Sequence, residues 1–209
     1  MTIEDMRSFL GLGPDVADAA VIAAYGAALA AEADEPLSLA DAKLHLRVDA
    51  EDEDDLILGC IAASVDQVER YTGLVLTRRL VTEALSHFGD RIRSWPVVRV
   101  LSVIYLDAGG DQQEINVADL RVNCASRPLR LFPATRWPCA AQTAAPVTVV
   151  LEAGFAAEDV PPTIRQALKL LTGHFYSNRL AVEVQNSVVA VEVPMAVSML
   201  LRSHRRRVL

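Results

Sequence analysis

Residues 37–76 read LSLADAKLHLRVDAEDEDDLILGCIAASVDQVERYTGLVL. Two helices follow from this stretch. Ser38 is a good N-cap for the first, and Asp41, three residues on, makes a near-capping box with Asp in place of Glu. The polar run DAEDEDDL, 49–56, predicts a turn leading into the second helix. There Ile57, Ile61, Val65, Val68 and Tyr71 or Thr72 recur at helical spacing. Gly73 supplies a natural C-cap, because only glycine takes the left-handed conformation at no steric cost. The expected helices are 38–47 and 53–72.

Upstream, residues 1–36 read as a helical extension. MRSFLGLG, 6–13, predicts a short helix closed by Gly11 or Gly13. Asp18 can cap a second helix with Ile22, Tyr25 and Leu29 on one face, and EADEP breaks the chain at Pro36. Downstream the character changes. RRLVTEALSHF (78–88), VVRVLSVIYLD (97–107), QQEINV (112–117), LRLF (129–132) and VTVVLEAGF (147–155) are short, β-branched and separated by turn signals. They predict a small antiparallel sheet of about four to six strands over 75–155, with DAGGD, 107–111, as a hairpin loop. VPPTIRQALKLLTGHFYSNR, 160–179, returns to helix over 161–178, opening on prolines as a first turn tolerates. Its Ile164, Leu168, Leu171 and Phe175 share a face. Residues 181–193 alternate weakly and read as a loop or short hairpin. Pro194 then opens an amphipathic stretch, MAVSMLLRSHRRRVL. The expected class is α+β: a helical body over 37–180 with an inserted antiparallel sheet, and a loop and extended C-terminal arm over 181–209.

Hydrophobic residues make up 52% of the 209, enough to build a core and to exclude wholesale disorder. The sequence pI of about 5.1 argues against a general nucleic-acid-binding surface. Cys60, Cys124 and Cys139 show no CxxC spacing and read as reduced buried thiols. The acidic N-terminus is unlike a secretory signal, and VIAAYGAALAA, 21–31, is too short to span a bilayer, so an intracellular soluble chain is expected. The histidines at 45, 87, 174 and 204 lack partners at metal-ligand spacing, and no phosphate loop or nucleophile elbow occurs. No catalytic residue, cofactor or metal is expected.

Charge is segregated. Residues 32–55 hold ten acids against Lys43 and Arg47, whereas the last twelve residues hold four arginines and no acid. Such segregation suits head-to-tail contacts between copies, or a basic arm reaching an acidic partner. A solvated tail does not need the leucines at 200, 201 and 209 that interleave the arginines.

These residues resemble a known family. AKLHLR (42–47), the acidic turn and the helix ending in YTG (71–73) are similar to the opening of the head–tail connector, or adaptor, proteins of tailed bacteriophages. SWPVVRVLSVIYLDAGGDQQEI (94–115), VTVVLEAGF and VPPTIRQALKLLTGHFYSNR resemble the family's later motifs in the same order. The resemblance runs from Leu37 to Arg179 and again near LLRSHRR, while residues 1–33 precede the usual family start. The family also occurs in gene transfer agent particles. The resemblance implies a virion structural protein rather than an enzyme. It implies a homo-oligomeric ring of about a dozen copies beneath the portal protein. The ring would extend the DNA channel and offer a platform to stopper or tail proteins. DNA would pass without specific binding. Assembly would take place in the bacterial cytoplasm. The implied portal-docking arm comprises Met199, Leu200, Leu201, Arg202, Arg205, Arg206, Arg207 and Leu209. The acidic turn of Asp49, Glu51, Asp52, Glu53, Asp54 and Asp55 is expected to face the lumen or a basic neighbour. Two other readings compete: a stopper or tail-completion protein of the neck, and a DNA-binding module using RSHRRR. A third, a metal-dependent nuclease built on EDEDD, lacks a placed histidine or lysine partner.

Overall fold

The computed structural model describes residues 3–32, 35–178 and 195–205. The fold is α+β, in two compact units: Met1–Ala33 with Thr77–Gly154, and Asp34–Leu76 with Phe155–Leu209.

The first unit holds α1 (Ile3–Leu10), α2 (Asp18–Glu32) and the strands β1 (Arg79–Leu85), β2 (Val97–Leu106), β3 (Gln112–Ile115), β4 (Leu120–Val122), β5 (Leu131–Pro133) and β6 (Val147–Ala153). Four strands form an antiparallel sheet in the order β1-β6-β2-β3, and β4 pairs with β5 in a separate ribbon. α1 ends at Gly11, where φ is +65° and the Leu12 N–H returns to the Arg7 carbonyl at 2.9 Å. Asp18 is the first residue of α2, and its carboxylate pairs with the Arg7 guanidinium, which also donates to the Pro14 carbonyl. Met6, Val21, Tyr25 and Leu101 form a core between these helices and the sheet, with Ile22, Leu29, Leu80 and Val150 packed around it. The two N-terminal helices and the loop between them therefore contribute most of this hydrophobic core. On β6 the strand period sets Val150 and Glu152 toward α2, while Val147, Val149 and Leu151 alternate with them and are fully buried. β2 is irregular where it meets β6: its register shifts between Val97 and Arg99 and again between Val100 and Ser102. Arg99 and Leu101, two residues apart on the strand, both face α2. The 107–111 hairpin loop forms as the sequence indicates. The Asp107 carboxylate accepts the N–H groups of Gly109 and Asp111, and these bonds hold its pKa below the usual range.

The second unit is helical: α3 (Leu39–Leu46), α4 (Asp54–Thr72), α5 (Pro162–Ser177) and α6 (Met195–Leu201). Ser38 caps α3, accepting the Asp41 N–H at 3.1 Å, and Gly73 closes α4 at φ +70°. The α3 cap at the other end is Arg47, a non-glycine residue at φ +59° that no residue type announces. α4 lays Ile57, Ile61, Ser64 and Val68 along Ile164, Leu168, Leu171 and Thr172 of α5. A 3.1 Å hydrogen bond between the Ser64 and Thr172 hydroxyls satisfies the polar atoms at this buried contact. Two ion pairs fasten α3: Lys43 to Asp54 at 2.6 Å and Lys169 to Asp41 at 3.2 Å. The hydrogen bond from Lys169, with that from Ser38, holds the Asp41 carboxyl below its ordinary range.

The cysteines differ from expectation. All three are free, but only Cys60 is buried. Cys124 is half-buried, and Cys139 is exposed because it lies in a loop beyond the ribbon.

Candidate assembly surfaces

The C-terminal residues divide between inside and outside. Val197 and Leu201 sit four apart on one face of α6 and are buried in the second unit, which α6 enters by packing on α5. Met195 and Met199 lie on the opposite face, 80% and 72% exposed. Arg202 is exposed. Arg205 is exposed too, and its guanidinium lies 5.4 Å from the Tyr71 ring centroid. His204 hydrogen-bonds Thr163 at 2.7 Å. Leu200 is half-buried, and Arg206, Arg207 and Leu209 lie outside the described residues. Leu201 is thus committed to its own core and is not free to enter a partner's groove. Deletion of 198–209 would remove it, so that truncation would damage the unit as well as the arm.

The acidic turn is divided in the same way. Glu53 accepts the Tyr176 hydroxyl and Asp54 pairs with Lys43, so these two fasten the helical unit. Asp49, Glu51, Asp52 and Asp55 are exposed and make no ion pair among the described residues. Five apolar side chains on this unit are also turned to solvent or its margin: Leu44 at 78%, Leu56 and Leu58, and Met195 and Met199. Exposed apolar side chains near unpaired acids are features of an interaction surface.

The strongest polar cluster was barely legible in the sequence. Glu152, fully buried, receives Arg78 at 2.5 Å, Arg99 at 2.5 Å and the Tyr25 hydroxyl at 3.2 Å. Arg99 also donates to the Tyr25 oxygen at 2.5 Å and lies over its ring. The cluster joins α2 to β2, β6 and the residue before β1. A single Glu in the apolar run VTVVLEA was its only signal. Burial, and then the Glu152 charge, raise the Tyr25 pKa above its ordinary 10.0. The folded state therefore keeps a proton that the unfolded state releases. Stability is full below about pH 10 and falls as pH rises from there through the raised value. Urea melts of wild type and Tyr25→Phe across this range should show a steeper alkaline loss in wild type. Equal slopes would contradict the assignment.

A cleft of about 750 Å³ in the first unit is lined by Ile3, Glu4, Asp18, Leu101, Glu114 and Val117, among others. Glu114 is bonded to Ser102 at 3.1 Å and Asp18 to Arg7. No group of His, Cys, Asp and Glu suited to a metal gathers among the described residues. No helix among them is long and apolar enough to cross a membrane.

Residues 36–95 match the family described as "Phage gp6-like head-tail connector protein". The chain is similar to one in the solved structure "Neck of empty GTA particle computed with C6 symmetry", at 25% identity and a TM-score of 0.63, covering 85% of this chain and 97% of that one. A second likeness is to "Virion of native gene transfer agent (GTA) particle", at 22% identity and TM-score 0.61, with the same coverage. A third is to "Neck of native GTA particle computed with C12 symmetry", at 24% and 0.57, covering 80% of this chain and 90% of that one. No curated protein matches the chain.

Proposed function

From the chain's kinship with the head–tail connector family of tailed phages, also found in gene transfer agent particles, we propose that it is a structural connector of a particle neck. It forms a ring beneath the portal, extends the DNA channel and gives the tail its platform. Its work is structural, and it is not an enzyme. The observation that carries this reading is the likeness to a chain of a solved neck over 85% of the residues, through both units. The rotational symmetry in which those necks were computed supports a ring.

The C-terminal segment is the portal-docking element in this reading. Met199 and Arg202 are its described contact residues, with Met195 and Arg205 beside them. An exposed methionine adapts to an irregular groove, and an arginine fork pairs with portal carboxylates. Repeated around a ring, weak arms sum to a tight joint.

The test is a pull-down of the cognate portal ring at low and high salt, with duplex DNA as competitor. Met199→Asp combined with Arg202→Glu leaves Val197 and Leu201 in place, so the helical unit stays folded. Retention of portal should fall by about tenfold or more, since like charges meet at the joint. Undiminished retention would remove the arm from the docking surface. Capture by DNA alone, lost steeply with salt, would replace the connector reading with a nucleic-acid grip.

A further inference from the structure

The first unit of this acidic chain carries a basic face. Residues 86–94 and 120–137 together hold Arg91, Arg93, Arg121, Arg127, Arg130 and Arg136 against a single acid, Asp90. The fold brings the two segments together. An antiparallel bridge joins Ile92 to Leu129, with the Ile92 N–H donating to the Leu129 carbonyl at 3.0 Å. This register sets Arg91 opposite Arg130. Leu129 and Leu131 are buried, so Arg130 and Phe132, which alternate with them, point outward. Arg121 is the cross-strand partner of Phe132. Arg91, Arg130, Phe132 and Arg121 thus share one outer face, with Arg130 and Phe132 about 7 Å apart along the strand.

This arrangement opposes the stability of the isolated chain. Like charges directly opposite on a ladder repel. Arg91, Arg93, Arg121, Arg130 and Arg136 have no carboxylate within ion-pair distance among the described residues. The nearby acids are engaged elsewhere: Asp90 accepts the Ser86 and His87 N–H groups, and Glu83 accepts those of Arg93 and Ser94. Those bonds hold the backbone of 91–94 in place, so the face is presented ready-made. Phe132, 57% exposed, stands among the arginines.

We infer that this ribbon is the acceptor for the acidic turn of a second copy, and that Asp49, Glu51, Asp52 and Asp55 of one subunit pair with Arg91, Arg121 and Arg130 of the next. This deepens the ring reading above and rests on it. The two surfaces are complementary in sign, and neither is ion-paired among the described residues, although Arg130 also donates to the Gly89 carbonyl at 3.2 Å. They are also different from each other, as a closing head-to-tail ring requires. Arginine matches carboxylates bidentately, and an aromatic side chain among arginines is the composition of an interface hot spot. A duplex backbone would use the arginines but leave Phe132 without an apolar partner, and the net charge of -7 opposes DNA.

The test measures assembly by mass photometry of the full chain, alone and with the portal ring. One variant combines Arg91→Glu with Arg121→Glu, the other Glu51→Lys with Asp52→Lys. All four side chains are exposed, and circular dichroism checks that each variant folds. Each variant alone should need about tenfold or more protein to assemble. Their mixture should restore rings, because alternating copies present complementary faces at every joint. If the reversed ribbon fails to fold, Arg91→Gln with Arg121→Gln should move the dissociating salt concentration downward, and an unmoved midpoint would count against the inference. A wild-type ring with unimpaired assembly of either variant overturns the inference and leaves the ring reading standing. Loss of DNA retention with normal assembly overturns it too, and assigns the ribbon to nucleic acid. No ring from the wild-type chain under any of these conditions overturns the ring reading itself, and the pairing with it.

Discussion

Glu152→Ala will lower the stability of the first unit by about 3–5 kcal/mol, the cost of breaking a buried ion pair from one side. The carboxylate is fully buried and answers two guanidinium groups and a phenol. Without it, Arg78 and Arg99 face each other with no anion between them, and the Tyr25 hydroxyl loses its acceptor. Their side chains are 36% and 24% exposed, so partial hydration places the loss toward the lower end of that range. Glu152→Gln keeps the shape and part of the hydrogen bonding but not the charge. It should lose most of the same energy if charge is what matters. Arg99→Met should lose less, because Arg78 remains to neutralise Glu152. Urea denaturation monitored by circular dichroism measures all three. A loss under about 1 kcal/mol for Glu152→Ala would mean that hydrophobic packing alone fastens α2 to the sheet.

Gly154→Ala will be at least as damaging, at about 4 kcal/mol or more. Gly154 holds φ at +120°, a region that side chains rarely adopt. A Cβ there would lie 2.5 Å from the Thr77 carbonyl oxygen and 2.6 Å from the Arg78 Cα. Both are backbone atoms, so no rotamer change relieves the contact. The Gly154 N–H also donates to the Pro96 carbonyl at 2.9 Å, which ties the residue to its position. Gly59→Ala is the contrasting control. It lies in α4 with nothing within 4 Å of an added Cβ, and should stabilise the isolated chain by about 0.5–1 kcal/mol. Thermal melts of the two variants should shift in opposite directions. An unchanged melt for Gly154→Ala would show that the strand ends yield to make room.

The local signals were strong wherever a residue type has one dominant conformational use. Ser38 and Gly73 bound helices because a hydroxyl acceptor and a left-handed glycine satisfy backbone groups that nothing else nearby can. The period of Ile57, Ile61 and Val68 placed the buried face of α4, and Asp107 with Gly110 set the hairpin. The order of these motifs carried the family likeness, and with it the connector reading. Other features had no local cause. β4 is three residues long and exists because β5 pairs with it. The α2–sheet core depends on Tyr25, Arg99 and Glu152 meeting across more than fifty residues of chain, and no window of sequence contains that coincidence. The sign of a surface is decided by the same kind of event. The sequence showed arginines clustered at the C-terminus. The tertiary structure turned Leu201 of that segment inward and gathered a second set from two distant segments through the Ile92–Leu129 bridge. Sequence alone determined the longer helices and strands, because backbone capping and periodic burial act within a few residues. Only the fold decided which charges are neutralised and which stand free, because ion pairing depends on distance in space, and proximity in space is set by packing.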